Sequence, residues 1–261
     1  MGRAVAELRF VTQSENRAEA LDLLLKNAPI EQQELESRLD SSHRTVIRIV
    51  NSLDERGYLR TTEQGLRLTP FGTHVADRLD DVRTATETAL EFKPLLRNAP
   101  PALRDLPLEG LAEAELLVAS QADPFSILDR ILSLRAEATR IREIAPGVQK
   151  ESIDQLATRV QRDEELDVEA VIPRHASDVA EERVDYHDGH TMTVESDAVD
   201  IYVHPAQLSF FAGLMDETAA VAVSRDGQPY ALAVSDDPAL RAAVESIYEQ
   251  YRDEATLKAS I

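Results

Sequence analysis

The chain has 261 residues, of which 43% are hydrophobic, enough to build one large domain or, more usually, two. It contains no cysteine, which excludes disulfides, thiol catalysis and zinc–thiolate sites. No apolar run of about eighteen residues could cross a membrane, and the first residues lack the pattern of a secretory signal, so we expect a cytoplasmic protein.

The charge is strongly negative, with 48 acidic against 28 basic residues and a net charge of −20. This would argue against a nucleic-acid partner if it were spread evenly, but residues 1–80 carry 11 bases and 13 acids. The acidity therefore lies mostly in residues 81–261. Of the basic residues, 24 are Arg and only 4 are Lys. This bias accompanies acidic surfaces in very salty cytoplasms, where screening weakens repulsion, and it suggests a halophilic protein.

Helices joined by short polar connections fill the first part of the chain. Apolar residues at helical spacing predict helices over 15–28, 31–39 and 42–55. Gly57 stands where a left-handed residue would end the third helix. Two strands, over 58–62 and 66–69, flank a short loop and predict a hairpin.

A long helix is predicted after the hairpin, starting at Pro70 and continuing towards Leu96. Residues 98–108, rich in proline, mark a domain boundary. Beyond it strands and helices alternate, which indicates an α/β sheet. The predicted strands are 115–119, 166–172, 191–195, 200–203, 219–223 and 230–234, and the predicted helices are 124–138, 151–162 and 238–255.

The predicted fold class is α+β, with an N-terminal winged helix-turn-helix followed by a C-terminal α/β mixed-sheet effector domain. The order helix, helix, turn, helix, two-stranded hairpin and long helix is that of a winged helix-turn-helix. We expect residues 1–80 to bind DNA, residues 81–100 to form a linking helix that can contribute to dimerisation, and residues 101–261 to be the effector or sensing domain.

The helix predicted over 42–55 carries the functional signal. Val46, Val50 and Leu53 form an inward apolar stripe, and no acid occurs from Ser41 to Leu53. A helix that enters the major groove needs one apolar face for its own domain and one polar face for base edges. The residues expected to contact double-stranded DNA are Ser42, His43, Arg44, Thr45 and Arg48, together with Arg60 and Arg67 of the hairpin.

Two other interpretations of this region are open. The elements could belong to a generic α/β protein whose arginines lie on a solvated face. They could also form a winged-helix adaptor that binds proteins and does not read DNA, although such modules usually lack a face like that of Arg44 and Arg48.

The sequence resembles a known family at several places. SSHRTVIRIVNSLDERGYL and LRLTPFG resemble the DNA-binding half of archaeal winged-helix regulators. The segments ELLVAS, ADPFSILDRI, IREIAPG, VDIYVHPAQLSFFAGLMD and GQPYALAVSDDPALRAAVESIYEQYRDEA are similar to two-domain archaeal regulators of the methanogenesis-regulatory type. The resemblance covers nearly the whole chain and implies a transcription factor with an effector domain. It does not imply that methanogenesis is the process controlled.

No catalytic constellation is evident, so we expect neither an enzyme nor a cofactor. None of the six histidines has a Lys two residues later, so we do not expect the phospholipase-type chemistry of some related effector domains. A glycine-rich phosphate loop and a G-x-S-x-G elbow are also missing. The stretch from Tyr186 to His190 is interpreted as a hairpin turn, with a metal site as the weaker alternative, and no metal is expected.

A small-molecule effector is expected in the second domain. Tyr202 and His204 lie at a predicted strand end, where open α/β sheets commonly bind ligands, and Arg225 is a candidate anion partner. The alternative is that the neighbouring Phe210 and Phe211 serve core or dimer packing.

A homodimer is expected because one winged helix reads only one half-site. The predicted helices over 70–97 and 238–255 both carry long apolar stripes that suit a partner. The sequence therefore predicts a dimeric, sequence-specific DNA-binding transcription regulator.

Overall fold

A computed structural model describes residues 2–162, 164–183 and 196–258. The turn or metal site expected at 186–190 and the strand expected at 191–195 lie outside the described residues. The chain divides into two compact units, Met1–Glu87 and Thr88–Ile261. Within the described ranges, every helix is too short or too polar to cross a membrane.

The first unit has the order of a winged helix-turn-helix, preceded by one additional helix. Its elements are α1 (Gly2–Thr12), α2 (Glu15–Asn27), α3 (Gln32–Arg38), α4 (His43–Asp54), β1 (Leu59–Thr62), β2 (Gly65–Leu68) and α5 (Pro70–Glu91). All except α1 agree with the predicted elements to within a few residues, although α5 ends earlier than expected. The short helix α6 (Lys93–Leu96) follows it.

The core of the first unit forms where α4 packs against α2, α3 and the hairpin. Val46, Val50 and Leu53 are buried as predicted, and Tyr58 at the end of the turn after α4 is fully buried. Gly57, with φ of 78°, reverses the chain in the left-handed region that disfavours other residues. The apolar stripe thus fixes which face of α4 points outward.

The hairpin is held to the rest of the unit by backbone hydrogen bonds. Ile30 N donates to Leu66 O over 3.1 Å, and Leu66 N donates to Ile30 O over 2.8 Å. Gly65 allows this close approach, since a Cβ there would lie 2.7 Å from Ile30 O. The wing is therefore tied to the segment after α2 through the first residues of β2, next to the hairpin turn.

The second unit is built on a mixed sheet. Its elements are β3 (Glu115–Val118), α7 (Ser126–Glu137), β4 (Arg140–Ile144), α8 (Lys150–Gln161), β5 (Asp167–Pro173), α9 (Arg174–Glu182), β6 (Val199–His204), β7 (Phe210–Met215), β8 (Thr218–Arg225), β9 (Gln228–Ser235), α10 (Pro238–Asp253) and β10 (Thr256–Leu257). Eight strands of the described residues lie in the order β10-β6-β5-β4-β7-β8-β9-β3. Strands β4, β5 and β6 are parallel, and the other pairs are antiparallel.

Helices cover both faces of this sheet. Residues of α7 and α9 pack with one set of buried strand residues, and α10 packs with the alternate set. The predicted α+β class, with a C-terminal mixed sheet, is confirmed. The elements absent from the prediction are α1, β4, α9, β7 and β10.

The apolar stripe of α10 does not serve a partner in this structure. Leu240, Val244 and Tyr248 are buried in the core of their own unit. The expectation that this helix offers its stripe to a second subunit was wrong, because the stripe packs on the apolar face of the sheet and buries it. Phe210 and Phe211 are likewise buried, on opposite faces of β7.

Candidate nucleic-acid interface

The turn between α3 and α4 determines where the outer face of α4 begins. Asp40 adopts a left-handed conformation with φ of 43°, which a short polar side chain tolerates. Ser42 then caps α4, its Oγ accepting a hydrogen bond from Thr45 N at 3.3 Å. The first turn of α4 is thereby held at the surface of the unit.

The residues predicted to contact DNA lie together on this face. Ser42, His43, Arg44 and Arg48 are exposed, and Thr45 is partly buried beneath them. Asn51, which the sequence analysis did not select, is exposed one turn after Ile47 and lines the same surface. Arginine and asparagine side chains suit guanine and adenine edges respectively.

His43 is tied to the preceding helix. Its Nδ1 forms a short contact with Glu36 Oε1 of α3. This bond holds the imidazole at the beginning of α4 and places one carboxylate beside the face, on a neighbouring helix. His43 is therefore oriented by its contact with α3.

A guanidinium cluster of Arg17, Arg48 and Arg56 lies beside the predicted face. The guanidinium carbons of Arg17 and Arg56 lie 4.1 and 4.0 Å from the centre of the Phe10 ring, so the aromatic ring of α1 supports both. The pKa of Arg17 lies below its ordinary value, chiefly through burial and further through repulsion by Arg56 and Arg48. Such crowding of like charges favours binding of an anion.

A shallow groove connects this cluster to α4. It is lined by the start of α2, with Ser14, Asn16 and Arg17, and by Thr45 and Arg48 on the helix. Sequence reasoning missed Arg17 because it precedes Arg48 by 31 positions in the chain and its apolar neighbours indicated only a helix. The groove has the donors that a phosphate needs, side-chain hydroxyls, an amide and two guanidinium groups.

The two wing arginines form a cross-strand pair. Arg60 of β1 lies directly opposite Arg67 of β2. Residues opposite each other in an antiparallel pair share a face, and like charges there are destabilising unless an anion intervenes. Arg67 Nη2 also donates to Gln64 Oε1 at 2.9 Å, which steadies its side chain at the tip of the wing.

The three residues predicted to bind an effector are not brought together. Tyr202 and His204 share one face of β6 and contact α10, where Arg252 Nη2 donates to the Tyr202 hydroxyl at 3.3 Å. Arg225 ends β8 and stacks on Tyr230 at 3.9 Å. Strands β5, β4 and β7 separate β6 from β8, a distance of roughly 19 Å.

The sheet order therefore prevents one small ligand from contacting all three residues. His204 is buried, and its Nδ1 accepts a hydrogen bond from Ala206 N at 3.1 Å. A ligand role for Tyr202 and His204 stays a prediction. In the described ranges, no group of three or more His, Asp or Glu side chains is arranged to hold a metal ion.

Comparison with known proteins gives two family matches. The HVO_A0261 N-terminal domain matches residues 5–91, which include α4 and the wing. The middle domain of the methanogenesis regulatory protein FilR1 matches residues 124–254, half of the chain. The chain belongs to the FilR1 family. The resemblance predicted from the sequence is confirmed, and membership gives this FilR1-family chain a regulatory role in transcription.

Solved structures add little to this assignment. The archaeal chromatin protein TrmBL2 is 14% identical, with 98% of this chain and 99% of that chain covered and a TM-score of 0.41. The S-adenosylmethionine-dependent methyltransferase SibL is 16% identical, with coverages of 94% and 83% and a TM-score of 0.23. At such TM-scores neither likeness bears on the function of the FilR1-family chain. No curated protein matches it.

Proposed function

We propose that the chain is a sequence-specific regulator that binds double-stranded DNA as a homodimer, through residues 1–80. Residues 81–100 would link to an effector domain over 101–261. The observation that carries this proposal is the outer face of α4. Arg44 and Arg48 are exposed on a helix whose opposite stripe is fixed in the core, with the guanidinium cluster beside them.

The net charge of −20 does not oppose this proposal. Binding depends on the charge near the phosphates, and at molar salt charges further apart than a few Å are screened. Counterion release, which drives phosphate binding in dilute salt, also weakens as salt rises. The regulator would therefore depend on direct contacts from Arg44, Arg48 and Asn51 to base edges more than a low-salt relative does.

Selection of genomic fragments by the purified full chain in molar KCl tests DNA recognition. We expect enrichment of a two-fold-symmetric motif, and loss of that enrichment in the Arg44→Ala/Arg48→Ala variant. The matched control is Arg78→Ala, since Arg78 is an exposed arginine on α5 that pairs with Asp81 and lies outside the face. This control should select the same motif as the unchanged chain.

The competing interpretation is a winged-helix adaptor that binds a protein. If neither the unchanged chain nor the control enriches any motif, with or without added cell metabolites, the DNA-binding proposal fails and the adaptor is favoured. If the double variant enriches the same motif equally well, α4 is not the recognition helix.

The dimer is proposed from the exposed apolar residues of α5. Val82 is 62% exposed and Leu90 63% exposed, whereas Leu79 packs against the core of the first unit. Large apolar side chains at such exposure on one helix suit a second copy of that helix.

Light scattering during size-exclusion chromatography in molar KCl measures the molar mass and so distinguishes a dimer from a monomer. Val82→Glu/Leu90→Glu should convert a dimer into a monomer. Phe125→Glu, at a residue 66% exposed outside α5, is the control and should stay dimeric. A monomeric unchanged chain would contradict the proposal.

A further inference from the structure

Two adjoining cavities lie between helices α7 and α8 and the sheet of the second unit. Their volumes are about 80 and 70 Å³. Both are lined by Arg135 of α7, by Ala145 and Gly147 just after β4, and by Ser152 of α8. The carboxyl ends of strands in open α/β sheets are common places for ligands.

These cavities are separate from the predicted ligand residues. Ile201 lines the second cavity, whereas its neighbour Tyr202 faces α10. Successive residues of a strand point to opposite faces of a sheet. The cavities therefore lie on the face covered by α7 and α8, away from Tyr202 and His204.

Arg135 is a buried, charged side chain that lines both cavities. It is 5% exposed, and its Nε donates to Glu143 Oε2 at 2.8 Å while its Nη2 makes a short bond to Glu143 Oε1. Its Nη1 is buried, and none of the residues that the structure describes accepts a hydrogen bond from it. A buried donor without an acceptor is costly, so such groups usually serve a ligand or ordered water.

The charges around Arg135 determine what kind of ligand would fit. Glu143 neutralises Arg135, and Glu164 Oε2 accepts from Arg159 Nε at 2.7 Å. Arg159 Nη1 donates to the backbone oxygen of Arg135 at 2.6 Å. Because each guanidinium next to the cavities already has its own carboxylate, a charged ligand would lack a counter-charge.

The remaining walls are mostly aliphatic. Ile131 of α7 and Phe211 of β7 line the first cavity, and Ile153 and Ile172 line the second. A cavity of about 150 Å³ with such walls holds benzene, and the two adjoining cavities, about 80 and 70 Å³, together reach that size.

We infer that these cavities bind a compact, uncharged, mostly apolar effector whose single carbonyl-type oxygen accepts a hydrogen bond from Arg135 Nη1. This deepens the effector role proposed for residues 101–261 and rests on that role for its regulatory meaning. Binding itself needs no DNA.

Titration of the full chain with cyclohexanone, followed by NMR of labelled isoleucine methyl groups, tests the site. Methylenecyclohexane has nearly the same shape but no oxygen. We expect saturable shifts of the methyls of Ile131, Ile153 and Ile172, with cyclohexanone bound at least about tenfold more tightly, as a charge-assisted hydrogen bond predicts.

Two variants separate the cavity from the donor. Ser152→Leu fills the cavities and should abolish the shifts, whereas Ser133→Leu, at an exposed residue of α7, should leave them unchanged. Arg135→Met/Glu143→Met removes the ion pair without leaving a lone buried charge, and such replacements often keep stability. This double variant should bind both compounds about equally.

Three results would overturn the inference. They are no saturable shift with cyclohexanone, equal affinity of the unchanged chain for both compounds, or a loss of the shifts in Ser133→Leu as large as that in Ser152→Leu. The first means that Nη1 binds water only. The motif selection on the same protein distinguishes these failures from a failure of DNA binding, because each assay reports on one unit.

Discussion

The arginines near α4 differ in what they already bind. Arg56 Nη1 donates to Glu7 Oε1 at 3.0 Å, so its charge is largely compensated. In the described part of the chain, no carboxylate lies within ion-pair distance of Arg17, Arg44 or Arg48. These three are therefore the ones expected to contact phosphates or base edges. We expect Arg17, which lines the groove beside α4, to contact a phosphate.

Arg17→Ala should weaken DNA binding about equally for all sequences. A phosphate contact carries no sequence information, and its loss reduces the slope of log affinity against log salt by about 1. Fluorescence anisotropy between 0.3 and about 1 M KCl, a range chosen where screening is still changing, measures this slope. Arg78→Ala is the control. An unchanged slope in Arg17→Ala, or altered motif preference, would contradict a phosphate role.

Tyr58 gives the first unit a pH dependence in the alkaline range. Burial, and then the hydrogen bond from its hydroxyl to Glu7 Oε2 at 3.1 Å, raise its pKa to about 12. An unfolded tyrosine titrates near 10. The folded state therefore favours the protonated phenol, and this stabilisation is complete below pH 10 and declines as pH rises to 12.

Tyr58→Phe should lower the free energy of unfolding by about 1 kcal/mol at pH 8, because the hydrogen bond to Glu7 is lost. The difference from the unchanged chain should then shrink between pH 10 and 12. Urea unfolding followed by circular dichroism at several pH values measures both. A difference that stays constant through that window would show that Tyr58 does not titrate with folding.

Among elements, the start of α5 depends on one glycine. Thr69 Oγ1 accepts from Gly72 N at 3.0 Å, and Thr69 N donates to Tyr58 O at 2.9 Å. The first turn of α5 thus lies against the backbone of Tyr58. A Cβ on Gly72 would overlap the carbonyl oxygen of Tyr58, and backbone cannot move aside as a side chain can.

Gly72→Ala should therefore destabilise the first unit by about 2–3 kcal/mol, the cost of overpacking, and lower its melting temperature by about 10 °C or more. Gly2→Ala on α1 is the control, since its Cβ would meet nothing within 4 Å. It should be neutral or stabilising by up to about 1 kcal/mol. Equal melting temperatures of the two variants would mean that α5 can shift away from the wing.

The elements predicted best from the sequence are those whose apolar residues recur at a single regular spacing. The apolar stripe at helical spacing predicted α4 and its buried face correctly. Strand β4 was missed because Glu143 interrupts its apolar pattern, and only the fold shows that Arg135 pairs with it. Helix α9 begins directly after Pro173, the last residue of β5, so the sequence has no turn residues that would indicate the start of a new element.

The candidate site was predictable to the same extent. Residues on one helix, such as Arg44 and Arg48, share a face by spacing alone. Arg17 and the buried donor of Arg135 could not be found this way, because each depends on contacts between distant segments. Arg225 was predicted to lie near Tyr202 and His204 because the ends of β6 and β8 are close in sequence. In the sheet these two strands are four positions apart.

At the scale of the whole molecule, the net charge of −20 sets the conditions under which the fold is stable. Repulsion among 48 acids is felt over about 10 Å at 0.1 M salt and about 3 Å at 1 M. We propose a halophilic protein, whose melting temperature should rise as KCl increases from about 0.1 to 3 M, because shortening that range relieves the repulsion.

Differential scanning calorimetry measures this melting temperature. Sucrose at matched osmolality, which adds no ions, is the control and should raise it less. Full stability in dilute buffer, with no gain from KCl, would contradict the halophilic proposal.

The edges of the described sheet have a further consequence. On one side stands β10, two residues long, and on the other β3, with four. A strand at an edge exposes unpaired amide and carbonyl groups that can recruit another chain, and short edge strands offer few of them. At high protein concentration, where newly made copies meet before each has finished folding, such short edge strands limit the templating of intermolecular strands. The apolar centre of the sheet can thus be rich in valine and alanine with little risk of amyloid-like growth.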